Sequence, residues 1–373
     1  MNIIFFEDLR YIKFWLPLLR LKPFFNIPFF NHSLRNKNIA ENIAFFLKEN
    51  EIQIKEDSLF LSCFFIPYEI HRIKENKILI KDNEKVGIFL KSGEYDLEKL
   101  LKEFEKDYDL KEIKGEFLNT PFKLIHKFEE VLNEYLNLIK KRYKKIGKGF
   151  YSNSKIKKNV EIDTEKGIVI IEENVKIEPF TFIKGPAFIG KESLIKSGAK
   201  IYSSYIGPVS RIGGEIDSSL FIGYSNKAHE GFIGHSIIGE WVNLGAMTTN
   251  SDLKNNYSEV KINIRNEIIN THIIKFGAII GDHVKTGIGT LIPTGAYIDI
   301  FSNIFSGGKF CPKYIPPFSW VSHDKIEIYE IEKAIETAKR MMKRRNIIMD
   351  EEYEKRIREI FKSEVENKNN FLI

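Results

Sequence analysis

The 373-residue chain has only two cysteines, Cys63 and Cys311, too few for the disulfide framework that staples small secreted domains. That scarcity points to a reducing, cytoplasmic setting. A long uninterrupted apolar run is also missing. The Phe-rich stretch from Phe14 to Phe30 is broken by Arg20, Lys22 and three prolines (Pro17, Pro23, Pro28), so it reads as neither a membrane span nor a secretory leader. No glycine precedes Gly87. A glycine-rich loop that cradles nucleotide phosphates through its amides therefore has no place ahead of that position. Charge of one sign is in short supply too: 57 Lys and Arg face 51 Asp and Glu, for a net +6. Basic clusters such as Lys140-Lys141-Arg142-Tyr143-Lys144-Lys145 read as solvated faces or as contacts for anionic ligands. None is interleaved with a nucleic-acid recognition motif.

What the chain does contain is a period of six. Ile171, Ile177, Ile183, Ile189, Ile195 and Ile201 lie six apart, and Ile274, Ile280, Thr286, Ile292, Ile298 and Ile304 repeat the spacing. A helix recurs every 3.6 residues and a strand every two. A strict hexapeptide fits a parallel β-helix, in which each repeat is a short strand plus a turn with one apolar side chain inward. Glycine follows many of the aliphatic positions (Ile189-Gly190, Ile222-Gly223, Ile280-Gly281), as sharp corners require. The expected fold is mainly β. Residues 155–322 form the β-helix, residues 1–112 a small α/β domain, residues 113–154 a connecting helix and hinge, and residues 323–373 C-terminal helices.

Within the first domain, Ile3-Ile4-Phe5-Phe6 predicts a buried strand. Asn38 to Glu49 predicts a helix, and Ile78 to Leu90 a hairpin turning at Asp82-Asn83. Asp96 to Tyr108 reads as a short helix and Pro121 to Tyr143 as a longer one, with Lys144 to Ser154 as hinge. Beyond Trp320, Ile331, Ile335, Ala338 and Met342 recur helically. Asp350 then caps a last helix carrying Tyr353, Ile357 and Phe361. A helix there would cover the open edge of the last coil.

Between Gly207 and Asn270 the period is disturbed, and irregularity in a solenoid is where function collects. The segment from Gly223 through Lys227-Ala228-His229, Gly234-His235 and Val242-Asn243-Leu244-Gly245-Ala246 to Asp252, then Asn255-Asn256-Tyr257, resembles the left-handed β-helix acyltransferase domain of the bifunctional glucosamine-1-phosphate acetyltransferase/N-acetylglucosamine-1-phosphate uridyltransferase family. The stretch from Phe305 to Trp320 resembles a related bacterial sugar nucleotidyltransferase group with a reduced nucleotidyltransferase-like domain ahead of the β-helix. The resemblance implies His229 as the catalytic base, since imidazole is poised to take a proton near neutral pH. His235 competes, because the family places a glycine before its histidine. Further implied are Arg211, Tyr224, Lys227, Asn243, Asn250, Asn256 and Tyr257 as substrate-binding residues, and Ala246 against the acyl carrier.

The resemblance further implies acetyl-CoA or another acyl-CoA as donor, a sugar phosphate or nucleotide sugar as acceptor, and a homotrimer without nucleic-acid or membrane partners. Mg2+ would enter only with an active nucleotidyltransferase domain. There Leu16-Pro17-Leu18 and Lys22-Pro23 follow the group's Leu-Pro-Leu and Arg-Pro phrase with Lys22 in place of its arginine; Glu7-Asp8 could bind the metal but reads as a surface pair, and the domain reads as non-catalytic. Alternatives are a sugar-1-phosphate nucleotidyltransferase using the β-helix as scaffold, a γ-class carbonic anhydrase with zinc on three of His229, His235, His272 and His283, and a purely structural trimer module.

Overall fold

The computed structural model describes residues 2–6, 15, 18, 20–21, 43–47, 52–54, 58–62, 65–67, 77–95, 97–265, 267–322 and 325–366. Glu7-Asp8, Lys22-Pro23 and Cys63 lie outside them. The chain divides into two compact units, Met1–Trp15 with Phe24–Thr120, and Leu16–Pro23 with Pro121–Ile373.

The first unit is α/β. Its sheet has, among the described residues, six strands in the order Ile43–Leu47, Asn2–Phe6, Ser58–Ser62, Glu84–Leu90, Lys77–Lys81 and Asp109–Glu112. Helix α1 (Leu97–Glu105) sends Leu100 and Phe104 onto Phe60, Ile78, Ile88 and Leu90. The hairpin turns at Asp82 and Asn83, both with positive φ (52° and 63°), the two-residue turn whose twist matches paired strands. One expectation is corrected. Ile43–Leu47 is a strand parallel to Asn2–Phe6 rather than part of a helix. Its five consecutive apolar residues have no helical period of polar and apolar positions, and the strand takes the edge of the sheet beside Asn2–Phe6.

The second unit opens with α2 (Pro121–His126) and α3 (Phe128–Ile139), followed by a 3-10 turn at Lys140–Arg142. The single helix expected from Pro121 to Tyr143 is therefore interrupted at Lys127, where ψ is 14°. Helix α3 sets Tyr135 on the rings of Phe188 and Tyr205. The expected hinge is corrected as well. Lys145–Gly147 and Phe150–Ser152 are already strands, and Phe150–Ser152 pairs in parallel with Val169–Ile171, so the β-helix begins ahead of residue 155.

Each coil of the β-helix has three faces. From Val169–Ile171 on the first face the chain turns corner A to Lys176–Ile177 on the second. It then turns corner B to Phe182–Lys184 on the third, and corner C to Ala187–Ile189, back on the first. Six residues make one face, which is why Ile171, Ile177 and Ile183 recur at that spacing, all 4% exposed or less. Ladders of like residues fill the interior, such as Ile171, Ile189, Ile206, Phe221, Ile238, Ile280, Ile298 and Ile315. Ile274 departs from its expected inward place and is 50% exposed, because it lies in the loop that delivers the chain to Ala278–Ile280.

The disturbed stretch has two physical causes. Successive coils there are shorter than eighteen residues, for Ile206 pairs with Phe221 and Phe221 with Ile238. Then one long insertion leaves after Thr249–Asn250 and returns before Ala278, so Ile238 pairs directly with Ile280. The insertion carries its own hairpin, Lys261–Ile264 with Glu267–Asn270.

Corner A is the most regular feature. Asn174, Glu192, Val209, Tyr224, Trp241, His283, Phe301 and Phe318 occupy it in successive coils, with φ from 53° to 61°. Stacking at the strand spacing lays their rings in a column: Tyr224 on Trp241 at 4.5 Å, His283 on Phe301 at 4.5 Å, and Phe301 on Phe318 at 5.1 Å. The C-terminal helices α4 (Ile331–Lys343) and α5 (Glu351–Phe361) pack on this column. They do not cover the last coil's edge as expected. That edge is paired by Lys325–Ile328, antiparallel to Ser319–Ser322. Asp350 caps α5 as expected, accepting from the Tyr353 amide at 2.7 Å. Arg20 is buried against Asp299 through two of its nitrogens, at 2.8 and 2.7 Å; Glu364 adds a contact at 3.2 Å.

Candidate functional site

The predicted site residues fall at three places around the coils. At corner B, the amide of Leu244 bonds to Asn226 and that of Met247 to Glu230. His229 and Ala246 between them therefore occupy the same place on successive coils. His229 is exposed. A Cβ at Gly231 would sit 2.2 Å from the Thr248 carbonyl, and its φ is 126°, so the chain leaves this corner through a glycine. Met247 and Ile288, on the next two coils of the same corner, are 57% and 76% exposed.

Lys227 belongs to the interior, not to a substrate surface. It pairs with Ile212 and is fully buried, the one charged residue in a ladder that runs through Ile195, Ile212, Leu244, Thr286 and Ile304. Its ammonium donates to the carbonyls of Gly213 and His229. Burial lowers its pKa to about 8 against the opposing charge of Glu230. It supports the corner from below.

At corner C, His235 adopts φ 48°, and its Nδ1 lies 2.7 Å from Asp252 Oδ2, both side chains largely covered. Burial pushes the Asp252 carboxyl up, but the hydrogen bond and charge of His235 outweigh it and hold the group below its ordinary value. A base oriented by a carboxylate is a recurring catalytic device. Asn250 is 4% exposed and serves the backbone. It accepts from the Gly234 amide at 2.8 Å and donates to the Gly234 carbonyl at 3.0 Å, so no free amide remains for a substrate. Asn256 and Tyr257 lie on the insertion, with Tyr257 70% exposed.

The third place is the second face beside corner A. Asn226, Asn243 and Lys285 follow one another on successive coils, and Asn226 donates from Nδ2 to Asn243 Oδ1 at 2.8 Å. With Arg340, Arg344 and Arg345 from the end of α4 they line a cleft of about 330 Å³, whose remaining wall includes Tyr224 and Trp241. Arg211 stands one coil below Asn226. Burial lowers its pKa against the charge of Glu192. Burial alone brings Lys285 to about 8.

The chain thus brings Tyr224 and Asn243 together, with Arg211 next to them. It pairs His229 with Ala246 and separates both from Asn250, Asn256 and Tyr257. Among the described residues no three His, Cys, Asp or Glu side chains gather as a metal site. His229 is at corner B, His235 on Asp252, His272 beside Glu259, and His283 stacked on Phe301 at corner A. Sequence reasoning missed Asp252, Asn226, Lys285 and the α4 arginines. A signal existed in Tyr224-Ser225-Asn226, Trp241-Val242-Asn243, His283-Val284-Lys285 and Phe301-Ser302-Asn303, each an aromatic residue two places before a polar one.

No family model matches the chain. A bifunctional sugar-1-phosphate nucleotidylyltransferase/acetyltransferase of Sulfurisphaera tokodaii is 33% identical over 158 residues, which is 37% of this chain and 38% of that protein. A bifunctional protein GlmU of Methanococcus aeolicus is 36% identical over 220 residues, 58% of this chain and 50% of the other. The chain therefore spans half or less of the length of these curated relatives. Among solved structures, a UDP-N-acetylglucosamine acyltransferase from Campylobacter jejuni aligns over 58% of this chain and 88% of its own, with a TM-score of 0.22 and 16% identity. A Bacillus cereus N-acyltransferase, AntD, in complex with dTDP-4-amino-4,6-dideoxyglucose and coenzyme A, aligns over 54% and 94%, with a TM-score of 0.24 and 19% identity. Over part of its length, this hexapeptide-repeat chain is a homologue of curated transferases named as bifunctional sugar-1-phosphate nucleotidylyltransferase/acetyltransferases and GlmU proteins.

Proposed function

We propose that the β-helix transfers an acyl group from acyl-CoA to the amine of an amino sugar phosphate or nucleotide sugar, with His229 as base. The observation that carries this reading is the stacking of His229 on Ala246 at one exposed corner. The position the resemblance gives to the base adjoins the one it gives to the acyl carrier. The apolar rim of Met247 and Ile288 suits the carrier's aliphatic arm, and coenzyme A supplies the thioester. The acceptor ammonium first sheds one proton to solvent; His229 then takes a second from the nitrogen as the amine attacks the thioester carbonyl, and the departing thiolate recovers that proton from the imidazolium. A homotrimer in the cytoplasm completes the proposal.

His235 is the second reading of the base, favoured by its bond to Asp252. The two readings separate by kinetics. His229→Ala is expected to lower acyl transfer about 100- to 10,000-fold, the usual loss for a general base, while His235→Ala, one hexapeptide on at another corner, keeps most activity. The reverse result assigns the base to His235. Full activity in both variants refutes histidine-assisted acyl transfer. A parallel assay for pyrophosphate release from UTP or dTTP with a sugar 1-phosphate tests the nucleotidyltransferase alternative.

A further inference from the structure

Corner B is closed differently in the coil that carries His229. In three other coils a buried threonine stands four residues after the inward position and bonds to groups of the corner. Thr181, after Ile177, donates to the carbonyls of Glu178 at 2.8 Å and Lys196 at 3.2 Å, on two successive coils. Thr290, after Thr286, donates to the Gly287 carbonyl at 2.9 Å. Thr248, after Leu244, bonds the Thr286 hydroxyl at 2.7 Å. All three threonines are 1% exposed or less. In the coil of His229 the fourth position is Gly231, which has no hydroxyl and no room for one beside the Thr248 carbonyl. The carbonyls of Gly213 and His229, again on two successive coils, receive the Lys227 ammonium instead. Among the described residues no backbone amide donates to either carbonyl.

We infer that Lys227 is a positioning residue for acyl transfer: its ammonium holds the corner that presents His229 in place of the threonine found elsewhere. The inference rests on the reading of His229 as the base. The residue type follows from reach. Lys227 starts from the inward rung beside Ile212, and its four-carbon stem carries three donors to both carbonyls. That leaves the corner itself to His229, Glu230 and Gly231. A buried ammonium is costly, and burial brings this one down to about 8 against the opposing charge of Glu230. An interior built for stability alone would continue the isoleucines of the rungs below, Ile195 and Ile212. A charge kept at such a cost beside a candidate base is characteristic of a functional site. Tied at its carbonyl, His229 has a fixed backbone while its side chain stands exposed. A base displaced by about 1 Å loses about 100-fold in rate.

The full chain is compared with Lys227→Met and Lys227→Ile at pH 7, the second variant carrying the residue of the rung below. Acetyl transfer is assayed with acetyl-CoA and glucosamine 1-phosphate. Both variants are expected to lose about 10- to 100-fold in kcat, with both KM values within about threefold of wild type and no fall in the urea midpoint. A merely structural lysine would move the midpoint and leave kcat. Amide exchange read by mass spectrometry gives a measure that needs no activity. Peptides covering residues 228–234 are expected to exchange about tenfold faster in the variants, while those covering residues 291–300 keep their wild-type rates. Wild-type kcat in both variants with His229→Ala inactive overturns the inference, and so does unchanged exchange over residues 228–234. A loss of kcat matched by a lower midpoint and by faster exchange throughout the coils overturns it too. Full activity in His229→Ala, or none in wild type, sinks the proposed function alone; exchange over residues 228–234 then decides whether Lys227 holds the corner.

Discussion

Lys227→Met tests the buried lysine of the coil interior. Its folded pKa is about 8, against roughly 10.4 for an unfolded lysine. For a lysine with a depressed folded pKa, the unfolded chain binds more protons between those two values. The charged side chain therefore opposes folding fully below pH 8, and that opposition fades as pH rises toward 10.4. At pH 7 the difference amounts to roughly 3 kcal/mol, and at pH 10 to less than about 1 kcal/mol. Methionine removes this term but strips a donor from the carbonyls of Gly213 and His229, a loss of about 1 kcal/mol each. The net expectation is a variant about 1 kcal/mol more stable than wild type at pH 7 and about 1 kcal/mol less stable at pH 10. Urea unfolding at both pH values, followed by far-UV circular dichroism, reads the sign directly. A variant less stable than wild type at pH 7 would refute the desolvation reasoning. A tenfold rise in acceptor KM with the corner intact would return Lys227 to the substrate surface.

Other outcomes follow from the same structure. Asp299→Leu leaves the buried Arg20 only its contact with Glu364 and is expected to destabilise the protein by about 3 kcal/mol, whereas Arg20→Met with Asp299→Leu restores most of it; chemical unfolding distinguishes the two. Asp252→Asn should leave acyl transfer within about threefold if His229 is the base, and lower it about 100-fold if His235 is. Sedimentation at micromolar concentration is expected to give a trimer, and a monomer would contradict the proposed assembly. The first unit is expected not to release pyrophosphate from UTP or dTTP with a sugar 1-phosphate.

The period of six was legible because each face consumes six residues and each face buries one aliphatic side chain. It carried the architecture from Ile171 to Ile201 without help. Past Ile206 the coils shorten and the insertion intervenes, so counting sixes put Ile274 inside when it is half-exposed, and it hid that Lys227 shares the rung of Ile212. Pairing across coils, not spacing along the chain, decides what faces inward. The histidine corner was readable because its residues are close in sequence. The cleft was not, since Asn226 and Arg345 meet only once α4 has folded back along corner A. The strand Ile43–Leu47 was misread for a local reason: an apolar run of that length has no period, and neighbours decide its conformation.

The insertion has a consequence for how such a chain can change. Ile238 and Ile280 are rung neighbours, so everything between corner C and the resumed first face enters and leaves the solenoid at nearly one point. A gene can therefore lengthen, shorten or exchange that loop in a single event without shifting any downstream rung. Asp252, Asn256 and Tyr257 travel with it. Chemistry at this edge can be replaced as a cassette, while the column at corner A keeps the rest in step.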